Sequence, residues 1–311
     1  MTSKKNKRIL LSGGSGMVGR NMKESLIAEK FDLISPPREE MNLIDYESTL
    51  NFIKKVKPWM VIHAAGKVGG INANIESHFN FYYENIILGN NLLLASKNLK
   101  VQKLINLGSS CMYPAYIKNP LKEDYLLSGS LEPTNEGYAL AKLAVAKFSQ
   151  YISESGKNFN YKTIIPCNLY GKFDKFDLDN SHLIPAAILK IHKAKERNDS
   201  EIEMWGDGSA KREFMYVKDL IDFIYYAIIN FDKLPQFINV GTKKDYSVEE
   251  YYKLISKIIG FKGKIIKNTN KPTGMMRKKV STTLQRKFGW ESKINLSTGL
   301  KLTYEYFLDN N

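Results

Sequence analysis

The chain has 311 residues, 43% of them hydrophobic and 25% charged, which is ordinary for a folded globular protein with one large core or a core and a smaller partner. No apolar run approaches the ~18 residues of a membrane span, and the run behind the basic start MTSKKNKR covers only residues 9–11, too short for a secretory h-region of ~7–15 residues. Two cysteines, Cys111 and Cys167, make no disulfide framework, so a cytoplasmic protein is expected, and the net charge of +14 rests mostly on scattered lysines, which read as solvated surface and not as a nucleic-acid site.

Along the chain, short β-branched runs predict strands at residues 8–12, 33–35, 60–64, 103–108 and 163–167. Helical periodicity falls between them at 22–30, 46–55, 81–97 and 137–153. Such alternation argues for an α/β protein with a doubly wound parallel sheet. Ligands on such sheets bind beyond the carboxyl ends of the strands, which directs attention to the loops GGSGMVG, AAGKVGG, GSSCMYP and NLYG. Beyond residue 171 the pattern loosens: 172–181 reads as loop, 185–195, 217–229 and 248–259 as helices, 202–205 and 237–240 as strands. The expected organisation is a dinucleotide-binding domain at 1–168 with a return segment near 213–240. A smaller C-terminal α/β substrate domain at 169–212 and 241–311 completes it.

Gly13, Gly16 and Gly19 form G-x-x-G-x-x-G between the first predicted strand and a helix. Glycines there permit a tight turn, and the helix start offers free N–H groups to a pyrophosphate. Enzymes that bind NAD place an acid at the end of the second strand to hold the ribose hydroxyls. Here that strand is followed by Pro36, Pro37 and Arg38, so a 2′-phosphate and hence NADP(H) is expected. Tyr138 and Lys142 stand one helical turn apart on one face. A phenol of pKa ~10 is a poor proton carrier at neutrality, and a nearby ammonium is expected to lower it. With Ser109 at the end of an earlier strand, the three residue types form a hydride-transfer constellation. No metal site is expected.

The segments GSSCMYP, EPTNEGYALAK, NLYG, DNSHLIP, WGDGSAKREF and AAGKVGGINAN resemble the signature segments of the GDP-L-fucose synthase family, epimerase-reductases of the extended short-chain dehydrogenase/reductase superfamily. The resemblance runs from about residue 8 to 305. It implies a Rossmann domain with a small C-terminal domain, a homodimer, and a GDP-linked 4-keto-6-deoxy sugar as substrate. By position it implies Ser109, Tyr138 and Lys142 as reductase residues and Cys111 and His182 as an epimerase acid/base pair. Cofactor contacts are implied at Met17, Ala64, Ala65, Pro166, Asn168, Leu169 and His182, beside the glycines, Arg38 and Lys142. Lys190, Trp205, Arg212 and Thr273 fall where the family contacts the substrate.

Thiol and imidazole, with ordinary pKa values of ~8.5 and ~6.5, bracket neutrality and suit proton transfer beside a ketone. Cys167, His63, His78 and His192 read as structural. Two departures stand out. Ser15 occupies a position that is commonly basic in the family, and the family segment KPDGxPRK reads KPTGMMRK at 271–278, with Thr273 in place of the acid and Met276 in place of the proline. The expected activity is therefore an NADPH-dependent 4-keto reductase and 3,5-epimerase. The alternative is a reductase acting, without epimerising, on another GDP-4-keto-6-deoxy sugar such as a heptose.

Overall fold

The computed structural model describes residues 7–178, 181–271 and 274–310. Its strands, in chain order, are β1 (Arg8–Ser12), β2 (Asp32–Ile34), β3 (Met60–His63), β4 (Lys103–Leu107), β5 (Asn160–Pro166), β6 (Asn168–Tyr170) and β7 (Glu201–Trp205). Then come β8 (Lys211–Arg212), β9 (Phe214–Tyr216), β10 (Phe237–Val240), β11 (Tyr246–Ser247), β12 (Lys264–Asn268) and β13 (Arg277–Lys278). Six of them form one sheet in the order β10-β5-β4-β3-β1-β2, every pairing parallel. The doubly wound parallel sheet read from the sequence is present. The strand order reverses between β1 and β3, which opens a crevice at their carboxyl ends.

The helices are α1 (Met17–Lys23), α2 (Leu26–Lys30), α3 (Tyr46–Val56), α4 (Ile71–Glu76), α5 (His78–Asn98), α6 (Glu136–Glu154), α7 (Leu183–Glu196), α8 (Val217–Ile229), α9 (Val248–Ile259), α10 (Thr283–Phe288) and α11 (Leu296–Asn310). Successive side chains of β1 point to opposite faces. Ile9 and Leu11 join Met22 of α1, Ile27 of α2 and Phe223 of α8 in one core. Leu10 joins Phe52 of α3, Leu92 of α5 and Val145 of α6 in another. A central strand buried on both faces must read as a continuous apolar run, as ILL does.

A third core gathers Ile184, Ile188 and Ile191 of α7, Met204 of β7, Tyr251 and Ile255 of α9 and Phe307 of α11. The two-stranded pairs β6–β9 and β7–β12 link this lobe. β10 brings the chain back to the central sheet beside β5.

Where one helix was expected at 22–30, there are two. Glu24 ends the first and Ser25 caps the second, its hydroxyl accepting from Ile27 N–H. The AAGKVGG loop is followed directly by α4, a helix that was not expected from the sequence. No helix among the described residues is long and apolar enough to cross a membrane.

Candidate active site

The turn from β1 into α1 is shaped by contact with its neighbour. Gly13 has φ +78°, and a Cβ there would lie 2.5 Å from Ala65 N and 2.6 Å from Ala64 C. The turn therefore lies directly on the loop after β3. Gly19 is excluded from growing a side chain for a similar reason, since its Cβ would meet Gly13 O at 2.2 Å. Gly16 is the N-cap of α1 and no side chain caps it, so the first N–H groups of the helix stay open.

Behind this turn, a Cβ on Gly14 would fall 1.6 Å from Ser35 Oγ and 3.9 Å from Lys23 Nζ. Hydroxyl and ammonium thus converge on one small volume at the end of β2. Ser35 Oγ is buried without a partner. Arg38 lies exposed on the following turn, outside the lining of the cavity described next.

A cavity of about 650 Å³ opens along the carboxyl ends of the strands, in the size range of small-molecule sites. Gly13, Gly16, Met17, Ala64 and Ala65 line one half, with Pro166, Asn168 and Leu169. Ser109, Cys111, Tyr138, Lys142 and His182 line its middle, and Lys190, Trp205 and Arg212 its far end. Of the residues singled out from the sequence, Gly19 and Arg38 do not line it, and Thr273 lies outside the described residues.

Ser109 ends the loop after β4 and accepts from Cys111 N–H at 3.2 Å, capping a short turn at Ser110–Met112. The same serine is hydrogen-bonded to the Tyr138 hydroxyl. Tyr138 packs edge-on against Phe81, ring centroids 6.5 Å apart. The expectation that Lys142 lowers the phenol is corrected. Burial pushes Tyr138 up, Cys111 adds to this, and only the Ser109 hydrogen bond pulls it down. Lys142 is itself buried, which brings its ammonium down to about 8. For both groups loss of water outweighs their mutual effect. His63 donates to or accepts from Ser12 Oγ at 2.8 Å and is held neutral by burial and by Lys142, a structural role as expected. Cys167 is buried and its thiol pushed up.

Cys111 carries two donors that its sequence neighbourhood does not announce. Lys278 Nζ reaches its sulfur at 3.2 Å and Asn135 Nδ2 at 3.6 Å. His182 is the N-cap of α7 and its ring is open to the cavity while protein encloses it. That enclosure, with Lys278 second, holds the imidazole below its ordinary value. Lysine 278 thus faces both members of the expected acid/base pair.

At the far end Lys190 Nζ donates to Glu203 O at 3.0 Å, and Lys271 stands over the Trp205 ring at 5.2 Å. Glu132 and Cys111 favour the charged form of Arg212 against its burial. The segment beginning at Gly274 (φ +64°) closes on this end, its Cβ direction 3.4 Å from an Arg212 nitrogen. Lys278, Asn135, Glu132, Lys23 and Ser35 are the site residues that sequence reasoning missed. Glu132 and Asn135 lie in the segment EPTNEGYALAK and Lys278 in KPTGMMRK, but neither segment singles them out, and Ser35 has only its place at the end of the second strand.

Residues 9–241 match the model of the NAD dependent epimerase/dehydratase family. The chain belongs to that family. It is 51% identical to the GDP-L-colitose synthase of Yersinia pseudotuberculosis over 97% of this chain and 98% of that one. It is 43% identical to the GDP-L-fucose synthase of Azorhizobium caulinodans over 99% and 98%. Among solved structures it resembles a GDP-mannoheptose C4 reductase from Campylobacter jejuni with NADP bound, at 32% identity and TM-score 0.87, over 98% of this chain and 99% of that one. The resemblance read from the signature segments is borne out.

Proposed function

We propose that this protein is an NADPH-dependent 4-keto reductase and 3,5-epimerase of a GDP-linked 4-keto-6-deoxy sugar. The observation that carries the reading is the meeting, in one cavity, of Ser109, Tyr138 and Lys142 with Cys111 and His182. The relatives' names, GDP-L-colitose and GDP-L-fucose synthase, support the substrate class. The NADP in the heptose reductase supports the cofactor.

The residues fit a dinucleotide. Gly13 leaves a cradle that a Cβ would fill, the start of α1 is uncapped, and Ser35 Oγ is buried and unsatisfied. The glycine turn would hold the pyrophosphate, Lys142 the nicotinamide ribose, and Ser35, Lys23 and Arg38 the 2′-phosphate. When bound, the reduced cofactor supplies a hydride to the keto carbon.

Tyr138 then gives its proton to the oxygen that gains charge, and Ser109, fixed by Cys111 N–H, orients that hydroxyl. Burial keeps the phenol protonated but makes it a weaker acid, so the transfer depends on the Ser109 hydrogen bond and on Lys142 nearby to offset the negative charge it leaves. Cys111 and His182 are the pair for removing and returning a proton beside the ketone. Lys190, Trp205 and Arg212 would receive the nucleotide and sugar, with the lobe 169–212 and 241–311 as the substrate domain. Exposed Phe79 and Tyr83, stacked 5.5 Å apart on α5, and exposed Leu94, Leu140 and Tyr151 on α5 and α6 support a homodimer through these helices.

The heptose-reductase alternative is less well supported, because the GDP-sugar synthase relatives are more similar in sequence and both Cys111 and His182 face the cavity. The test is a panel of GDP-4-keto sugars with NADPH, read by nicotinamide absorbance and NMR of the products. Turnover of a 4-keto-6-deoxyhexose with inversion at C3 and C5 is expected. Reduction of a heptose alone would overturn the reading in favour of the alternative.

A further inference from the structure

Asn135 is the N-cap of α6, the helix that carries Tyr138 and Lys142. An asparagine in this place ordinarily turns its side-chain oxygen onto the N–H groups of the first turn, yet here it makes no cap bond. Its amide instead donates to Cys111 Sγ at 3.6 Å. Its carbonyl oxygen Oδ1 is buried with no hydrogen-bond partner, on a residue that lines the cavity. Buried side-chain oxygens are normally paired, so leaving this one unpaired shows a side chain set toward the thiol and not toward its own helix. The sulfur's other donor, Lys278 Nζ at 3.2 Å, arrives on β13 from 167 residues away. Cys111 is therefore held from two sides, one of them by a side chain that has given up capping its own helix.

We propose that Asn135 is a positioning residue for proton transfer at the carbon beside the keto group. Its amide N–H aims Cys111 Sγ into the cavity, so that the base stands in place before the sugar arrives. This rests on the reading that a keto-sugar is epimerised here. In the step itself the C–H bond beside the ketone breaks, its proton goes to the Cys111 thiolate, and the electron pair moves to the carbonyl oxygen as an enolate. Return of a proton on the opposite face restores the ketone, and His182, held neutral by its enclosure and by Lys278, delivers it after taking one up from solvent. Asn135 gains and loses no proton.

The experiment compares wild type, Asn135→Asp and Asn135→Ala with GDP-4-keto-6-deoxymannose in D₂O, following deuterium entry beside the ketone by NMR and NADPH oxidation separately. Aspartate keeps the size and the acceptor but removes the donor. Exchange in Asn135→Asp is expected to fall by ~10-fold or more, as for loss of a placed acid or base, with KM within ~3-fold of wild type. Asn135→Ala should lose exchange as much, again with KM within ~3-fold of wild type. Measurable NADPH oxidation in both shows that they are folded. Exchange within ~3-fold of wild type in either variant overturns the inference. Wild type that reduces without exchanging also overturns it and leaves the reductase intact. Wild type that does neither removes the proposed function itself.

Discussion

Replacing Gly13 by alanine probes the contact on which the dinucleotide cradle depends. At φ +78° a Cβ costs ~1–2 kcal/mol against the left-handed backbone alone. The new methyl would also lie 2.5 Å from Ala65 N, 2.6 Å from Ala64 C and 2.7 Å from Ala64 O. These are backbone atoms and cannot swing aside. Relief requires the loop after β3 to withdraw, at ~1–3 kcal/mol for overpacking. Withdrawal strains the bond from Ala64 N–H to Ser12 O, now 3.2 Å, for a total of ~3–5 kcal/mol out of the ~5–15 kcal/mol that holds a typical protein folded. Gly16→Ala is the control in the same turn. Its φ is −77° and its Cβ would meet only Gly13 O at an ordinary 3.6 Å, so the loss should stay below ~1 kcal/mol. Urea unfolding followed by far-ultraviolet circular dichroism measures both, and an NADPH titration shows whether binding falls with Gly13→Ala. Equal stabilities for the two variants would refute the reasoning.

Two more predictions concern charged groups, one behind the glycine turn and one lining the cavity. Lys23→Ala should weaken NADPH binding by ~10-fold, the loss of one charge-assisted phosphate contact, and leave NADH binding unchanged. Titration of both cofactors against Lys23→Ala and Arg38→Ala measures this, and an unaltered NADPH-to-NADH ratio in Lys23→Ala would contradict it. Burial brings Lys142 down from 10.5 to about 8, so above pH 8 the folded chain binds fewer protons at this lysine than the unfolded chain does. Stability from this group must then rise as pH goes from 8 to 10.5. The rise should be absent in Lys142→Met, and an identical slope in both proteins would contradict the assignment.

The central sheet was legible because its strands are buried on both faces and carry unbroken apolar runs, and because glycine turns punctuate them. Helices 217–229 and 248–259 were read to the residue. The second starts at a capping box of Ser247 and Glu250 and stops at Gly260, φ +81°, all visible as residue types. Helix α11 and strand β12 escaped. Residues 264–268, KIIKN, pair only with β7 and stay largely exposed, so tertiary contact and not pattern makes them a strand. The site shows the same division. Tyr138 and Lys142 betray themselves by helical spacing and Ser109 by its strand-end loop. Lys278, Asn135 and Lys23 are residue types that usually face water, and only folding brings Lys278 within 3.2 Å of Cys111. Arg38 looked right in sequence but lies exposed on a turn, while Lys23, also outside the cavity lining and on a helix earlier in the chain, turns back toward Gly14.

The central claim is that Tyr138 completes the reduction of a keto-sugar carbon in this cavity. The direct measurement uses NADPH carrying deuterium at the transferable position of the nicotinamide, with GDP-4-keto-6-deoxymannose, and locates the label in the product by NMR. Deuterium should appear at C4 of the sugar and nowhere else. Tyr138→Phe should suppress that transfer by ~10²–10⁴-fold, the usual contribution of a placed proton donor, while NADPH binds with nearly wild-type affinity. Label absent from C4, or transfer by Tyr138→Phe within ~10-fold of wild type, would contradict the account.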